Sequence, residues 1–227
     1  QVNKPPLNWE LPQFDIVQSD YHTDPAVTTM IHVRQETSQA YIGDSAAHSI
    51  AILDADGQLD SETLQFGRAM MPVDIEFTAQ GVYVASIGDL LAALPSYEKV
   101  ATISRLPVVD QSITATGVNV VIDDIYRMAG MEVADLNGDG VLDFVVCGFG
   151  GRQGNVAWFE SQSDGSYLEH ALISRPGAVR AQLHDFNGDQ NLDIAVLLSD
   201  AREGFYILIN NGENEFESTM VFETHPS

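Results

Sequence analysis

The sequence predicts an all-β chain, a β-propeller of four-stranded antiparallel blades with about four blades in its 227 residues. Three observations carry that prediction. The chain repeats itself with a period near fifty residues, and each repeat holds four short apolar runs separated by Gly, Asn and Asp turns. No segment combines helical periodicity, caps and length. Four strands per unit of this size, several times over, is the pattern of a propeller, whose rings run from about four to eight blades. A β-sandwich is the architectural alternative, but it needs no internal repeat.

Residues 1–26 read as a lead with one strand, "LPQFDIVQ" at 11–18, which fits a clasp for the last blade. The first unit, near 27–67, runs "AVTTMIHVR", "QAYIGD", "HSIAILDADG" and "SETLQFG". The second, near 72–123, runs "PVDIEF", "GVYVASIG", "EKVATIS" and "VNVVID", with an inserted loop or helical turn at 89–97. The third and fourth, near 128–174 and 177–223, match element for element: "VLDFVVCG" answers "NLDIAVLL", and "NVAWFES" answers "GFYILIN". Four units suit either a closed small ring or part of a larger one, such as a seven-bladed ring. The chain starts at Gln1, as a mature or truncated product would.

Composition narrows the function. Ten basic against thirty-three acidic residues give a formal charge of −23, a field that repels nucleic acid and anionic membranes and attracts cations. Apolar runs such as "IAVLL" are too short to insert in a membrane. The acidity suits an extracellular, periplasmic or cell-surface setting. Cys147 is the single cysteine, so no internal disulfide forms, and its place in an apolar run reads as core.

The chemistry gathers in two stretches. "VADLNGDGVLDFVV" (133–146) carries Asp135, Asn137, Asp139 and Asp143; "LHDFNGDQNLDIAVL" (183–197) carries Asp185, Asn187, Asp189 and Asp193 fifty positions later. In an extended strand, Asp135 and Asp139 would lie about 13 Å apart. Glycines let the chain curl and bring the side chains together. Carboxylates about 5 Å apart repel by roughly 3 kcal/mol per pair at an effective dielectric near 20, and a cation removes that cost. Oxygen-only ligands specify a hard cation, and six to eight of them suit Ca²⁺ better than Mg²⁺. The loop opens like an EF-hand, D-x-N-x-D-G, yet position twelve is Val146 and both flanks read as strands. Val141 and Asn191, at position seven, would supply backbone oxygens. "DADGQLD" (54–60) keeps part of the spacing and reads as a hairpin turn.

"AGMEVADLNGDGVLDFVVCG" resembles the FG-GAP/VCBS-type repeat of integrin α-subunit propellers and many secreted bacterial proteins, over residues 129–161 and again 178–210. The resemblance implies a Ca²⁺ loop between the first two strands of a blade, hence up to two ions. It places the ligands on Asp135, Asn137, Asp139, Val141 and Asp143, and on Asp185, Asn187, Asp189, Asn191 and Asp193. Two departures stand out. "CGF" and "LLS" replace the family's "GAP" ending, and Gln190 stands where the first loop has Gly140, a place that calls for positive φ.

No nucleophile elbow, phosphate loop or dinucleotide fingerprint is present, and the six histidines show no metal-type spacing. "GFGGRQG" (148–154) reads as a loop between blade strands. Arg152, Arg180 and Arg202 suit either surface ion pairs or one face of a channel. Two function classes follow: a noncatalytic calcium-binding scaffold that presents loops to a protein or glycan, and a propeller-fold enzyme such as a polysaccharide lyase or quinone-dependent dehydrogenase. An enzyme needs His, Tyr, Arg or Glu converging on one face. No single motif supplies that here, so the sequence favours the scaffold.

Overall fold

The computed structural model of the chain describes residues 28–59, 63–67, 70–88, 98–110, 112–150, 153–199 and 203–224. The strand expected at 11–18 and the insertion at 89–97 lie outside the described residues. Every regular element described is a β-strand, and none is a helix long and apolar enough to cross a membrane.

The first sheet is β1 (Thr28–Arg34), β2 (Gln39–Asp44), β3 (Ser49–Leu53) and the short β4 (Leu64–Gln65). The second is β5 (Pro72–Thr78), β6 (Gly81–Ser86) and β7 (Lys99–Leu106), with β10 (Asn119–Tyr126) beside β7. Between β7 and β10 stands a two-stranded hairpin, β8 (Val108–Val109) and β9 (Ser112–Ile113), which the sequence pattern does not announce. The third sheet is β11 (Met128–Ala134), β12 (Asp143–Gly148), β13 (Asn155–Ser161) and β14 (Tyr167–Ile173). The fourth is β15 (Ala178–His184), β16 (Asp193–Leu198), β17 (Gly204–Asn210) and β18 (Phe216–Glu223). Each sheet is an antiparallel meander in chain order, so the blades of a propeller are present.

The repeat extends to single residues. Each blade's first strand shifts register near its start, after Thr28, Pro72, Met128 and Ala178. Counting from that shift, Met30, Asp74, Gly130 and Arg180 are equivalent. So are His32, Glu76, Glu132 and Gln182 two residues on.

Strands buried on both faces explain the continuous apolar runs. Successive side chains on a strand point to opposite faces, and in the third blade each face enters a different core. Tyr83, Ala85 and Ile103 of the second blade pack on Met131, Phe144, Val146, Ala157 and Phe159 of the third. The third blade's other face, with Val145, Cys147, Val156 and Trp158, packs on Ala181, Ile194, Val196, Leu198, Tyr206 and Leu208 of the fourth. Tyr41, Ile50 and Ile52 of the first blade meet Ile75, Val82, Val84 and Leu106 of the second. Each buried Val, Leu, Ile or Phe contributes about 1.5–3 kcal/mol. The cores therefore lie between blades. Cys147 belongs to one of them, and burial pushes its thiol up to about 12.

Candidate functional site

The acidic loops join β11 to β12 and β15 to β16, the first and second strands of adjacent blades. Both are curled by left-handed backbone, at Gly138 (φ 76°) and Gly140 (φ 85°) and again at Gly188 (φ 83°) and Gln190 (φ 76°). Gln190 thus adopts the positive φ that its position calls for, where a side chain costs roughly 1–2 kcal/mol.

Inside the curl, the first aspartate gathers the loop's amides. Gly138 and Asp139 donate their N–H groups to Asp135 Oδ1 at 2.7 and 3.1 Å, and Gly140 donates to Oδ2 at 2.8 Å. The second loop repeats this: Gly188 and Asp189 donate to Asp185 Oδ1 at 2.6 and 3.2 Å, and Gln190 to Oδ2 at 2.9 Å. Asn137 and Asn187 accept from the amides of Asp139 and Asp189, and those aspartates accept from the amides of Val141 and Asn191. The bond from Asn191 is the leading cause holding the Asp189 carboxyl below its ordinary value.

The last aspartate of each loop is buried at the start of the second strand. Asp143 accepts from Leu136 N at 3.3 Å and from Ser161 N at 2.8 Å; Asp193 accepts from Phe186 N and Asn210 N, both at 2.8 Å. Burial raises the Asp143 carboxyl above the ordinary range, against the lowering effect of the Ser161 amide.

These amides offset part of the self-repulsion that the sequence argument assigned to a cation. Among the described residues, no three His, Cys, Asp or Glu side chains stand at metal-ligand spacing. The donor set still fits a hard cation. It is oxygen only, and a carboxylate offers about four lone-pair sites, of which Asp135 and Asp185 use three on amides. Val141 lies exposed on its loop and Asn191 half-buried.

The surroundings of the two loops differ. Leu136 is buried in the core between the third and fourth blades, and its carbonyl accepts from Asn210 Nδ2 of the fourth blade at 2.9 Å. Gln80 of the second blade donates to Gly140 O at 3.3 Å, and Asn137 donates to Glu160 at 3.2 Å. Glu160 also receives His170 at 2.8 Å and Asn214 at 3.3 Å. Phe186, the counterpart of Leu136, is exposed and meets the ring of His184 edge-on at 5.2 Å. His184 is therefore a rim residue rather than a core one.

A second constellation, absent from any contiguous motif, lies on the first strands. Arg180 of the fourth blade reaches Asp74 of the second at 3.4 Å and Glu132 of the third at 3.6 Å. Gln182 donates to Glu132 at 3.3 Å, and Met131 N donates to Asp74 at 3.1 Å. Burial pushes Glu76 up to about 8, helped by the charges of Asp74 and Glu132. Burial also raises Asp74 and Glu132 and lowers His32. The register shifts that align the four first strands are visible only in the structure, so no sequence signal singled this cluster out. Of the three arginines singled out by sequence, Arg180 has this inner role; Arg152 and Arg202 lie outside the described residues. Trp158 packs between blades, stacked on His170 at 4.5 Å. The 54–59 stretch is a turn between β3 and β4 in which Asp54 accepts from Asp56 N and Gln58 N.

Comparison with known proteins agrees with this architecture. Among solved structures, a luciferin-regenerating enzyme shares 13% identity at a TM-score of 0.51, the match covering 87% of this chain and 61% of that one. A putative 6-phosphogluconolactonase from Bacteroides uniformis ATCC 8492 shares 14% identity at 0.51, covering 86% and 56%. The chain thus spans about three fifths of the length of these structures, and at such identity the likeness is one of fold alone. No curated protein matches. Residues 135–196, running from the first acidic loop to the strand after the second, match the FG-GAP-like repeat family. Residues 135–196 thus carry an FG-GAP-like repeat, and the chain has a propeller-type fold.

Proposed function

We propose that the chain is a noncatalytic, calcium-binding propeller module that presents its rim to a protein or glycan ligand. One observation carries this reading: two loops with the same oxygen donors and the same hydrogen-bond pattern occupy the same place in adjacent blades. Asp135, Asn137, Asp139, Asp143 and the Val141 carbonyl would hold one Ca²⁺; Asp185, Asn187, Asp189, Asp193 and the Asn191 carbonyl would hold another. The ion's role is structural, since these residues join neighbouring strands of one blade. Millimolar calcium outside cells suits such sites, whose Kd values fall near 10⁻⁴–10⁻³ M in extracellular modules. That setting agrees with an extracellular, periplasmic or cell-surface location. Elemental analysis after dialysis against millimolar calcium tests the proposal. Up to two equivalents are expected, and less than half an equivalent overturns it.

The cluster of His32, Asp74, Glu76, Glu132, Arg180 and Gln182 favours a second reading, a propeller-fold enzyme such as a polysaccharide lyase or quinone-dependent dehydrogenase. It supplies the convergence that such an enzyme needs. Turnover of an acidic polysaccharide, or of an alcohol with added quinone, that Glu132→Gln abolishes would favour it. No turnover with either leaves the scaffold.

A further inference from the structure

A cleft of about 380 Å³ opens between the second and third blades, a volume within the range of small-molecule sites. Its walls come from β7 and β10 on one side and from β13 and β14 on the other. β12 runs away from the acidic loop, so the start of β13 places the cleft at the opposite end of the blades. Both blades pack against a neighbour on either side, and the cleft lies wholly between them.

Asn155 lines the cleft as a buried side chain, 6% exposed, whose Nδ2 donates to Glu169 Oε1 at 3.0 Å. Gly148 makes the room for it, since a β-carbon there would stand 2.7 Å from Asn155 Oδ1. Lys99 of the second blade donates to the other oxygen of the same carboxylate at 3.1 Å, and its ammonium stands 5.1 Å over the ring of Tyr126. Tyr126 in turn donates its hydroxyl to Gln153 Oε1 at 3.4 Å. An ammonium and a carboxylate are thus held in place beside open space, each steadied by a further group.

Blade packing does not require these residues. The fourth blade's counterparts of Gly148, Asn155 and Glu169 are Leu198, Gly204 and Ser218. It builds the same four-stranded meander without them.

We propose that this cleft binds a neutral saccharide through vicinal hydroxyls. This rests on the reading of the chain as a module that presents its rim to a ligand, and it selects a glycan and a place for it. Lys99 and Glu169 together carry no net charge, so an anionic ligand is repelled by Glu169 and a cationic one by Lys99. The chain's charge of −23 weighs further against an anion. A hydroxyl can both donate and accept. One hydroxyl donates to Glu169, a carboxylate with about four lone-pair sites, of which Asn155 and Lys99 take two. Its neighbour accepts from Lys99, whose ammonium has three donors and spends one on Glu169. Ala171 and Pro176 line the same cleft and meet the apolar C–H groups of the sugar ring. Because both charged groups are already positioned, binding has little side-chain ordering to offset.

The test is a ligand-observed NMR titration of the full chain in millimolar calcium. The probes are methyl α-mannoside, methyl β-galactoside, methyl β-glucoside and glucuronate. At least one neutral glycoside should bind with a millimolar Kd, and glucuronate should not. Lys99→Met and Glu169→Ala should each weaken that binding about tenfold or more, the loss of one hydrogen bond to a charged group. Both side chains are partly exposed, and unchanged circular dichroism shows that the variants fold. No neutral glycoside bound, binding of glucuronate alone, or an affinity that both variants leave unchanged overturns the proposal. Calcium uptake measured on the same samples keeps the two readings apart. Uptake without saccharide binding overturns the cleft site alone, and saccharide binding without uptake overturns the calcium reading alone.

Discussion

The loops at 135–143 and 185–193 are copies in sequence and in internal hydrogen bonding, yet they sit in different company. The first is wedged between blades: Leu136 is buried, Asn210 of the next blade ties down its carbonyl, and Gln80 of the preceding blade reaches Gly140. The second ends on an uncovered face, with Phe186 exposed and Gln190 in a left-handed conformation that glycine fills in the first. A loop motif thus fixes its own amide cradle. How firmly the cradle is held depends on the blade that follows.

The largest test of that contrast removes the wedge. Leu136→Ala should cost about 2–5 kcal/mol by the general cost of emptying a buried leucine site. Phe186→Ala should stay within roughly 1 kcal/mol because the ring is half in solvent. Urea denaturation of both variants checks this, and equal losses would break the contrast.

Calcium provides the next test. A ligand bound only to the folded state stabilises it by RT ln(1 + [L]/Kd), about 0.4–1.4 kcal/mol per site at millimolar calcium for sites of 10⁻³–10⁻⁴ M. Chelation should therefore lower Tm by several degrees, and Asp139→Ala should erase more of that shift than Asp189→Ala. Identical melting curves with calcium and with chelator would remove the ion from the account. The reverse ranking would remove only the contrast.

Gln190→Gly addresses the backbone alone. Relief of the left-handed side chain, roughly 1–2 kcal/mol, is opposed by glycine's extra freedom in the unfolded chain, about 0.5–1 kcal/mol. A small net gain of up to about 1.5 kcal/mol is expected, together with tighter calcium binding at the second loop by titration calorimetry. No gain in either would mean that the loop's exposure, not its backbone, separates it from the first.

The last test lies away from both loops and sets the pH for these comparisons. Glu76 holds its proton to about pH 8 in the folded chain, against 4.5 as its ordinary value. Between those values the folded state binds more protons than the unfolded one, so this group's contribution to stability falls as pH rises and levels above about 8. Glu76→Gln should flatten that decline in urea midpoints taken from pH 5 to 8. An unchanged slope would place the carboxylate in water.

Much of this was legible in the chain. The third and fourth blades follow from the fifty-residue match, because strands buried on both faces leave unbroken apolar runs between Gly-rich turns. The β8–β9 hairpin was not legible, since two-residue strands carry no periodicity. The acidic loops could be found from their spacing alone, but their unequal settings could not: Leu136 and Phe186 are both apolar, and only the presence of a following blade separates them. The inner cluster stayed hidden because Asp74, Glu132 and Arg180 come from three different repeats and form no contiguous motif.

Gly130 shows where duplication had to stop. A β-carbon there would stand 3.1 Å from Asp74 Oδ2, tight against the carboxylate that pairs with Arg180. The four equivalent positions hold a thioether, an anion, no side chain and a cation, at Met30, Asp74, Gly130 and Arg180. Outer positions can be copied from blade to blade because each has its own space. Asp74, Gly130 and Arg180 share one space, so identical residues at those three positions would collide or repel. A consensus repeat designed from this chain can be symmetric at its periphery but must assign a different residue to each blade at its centre.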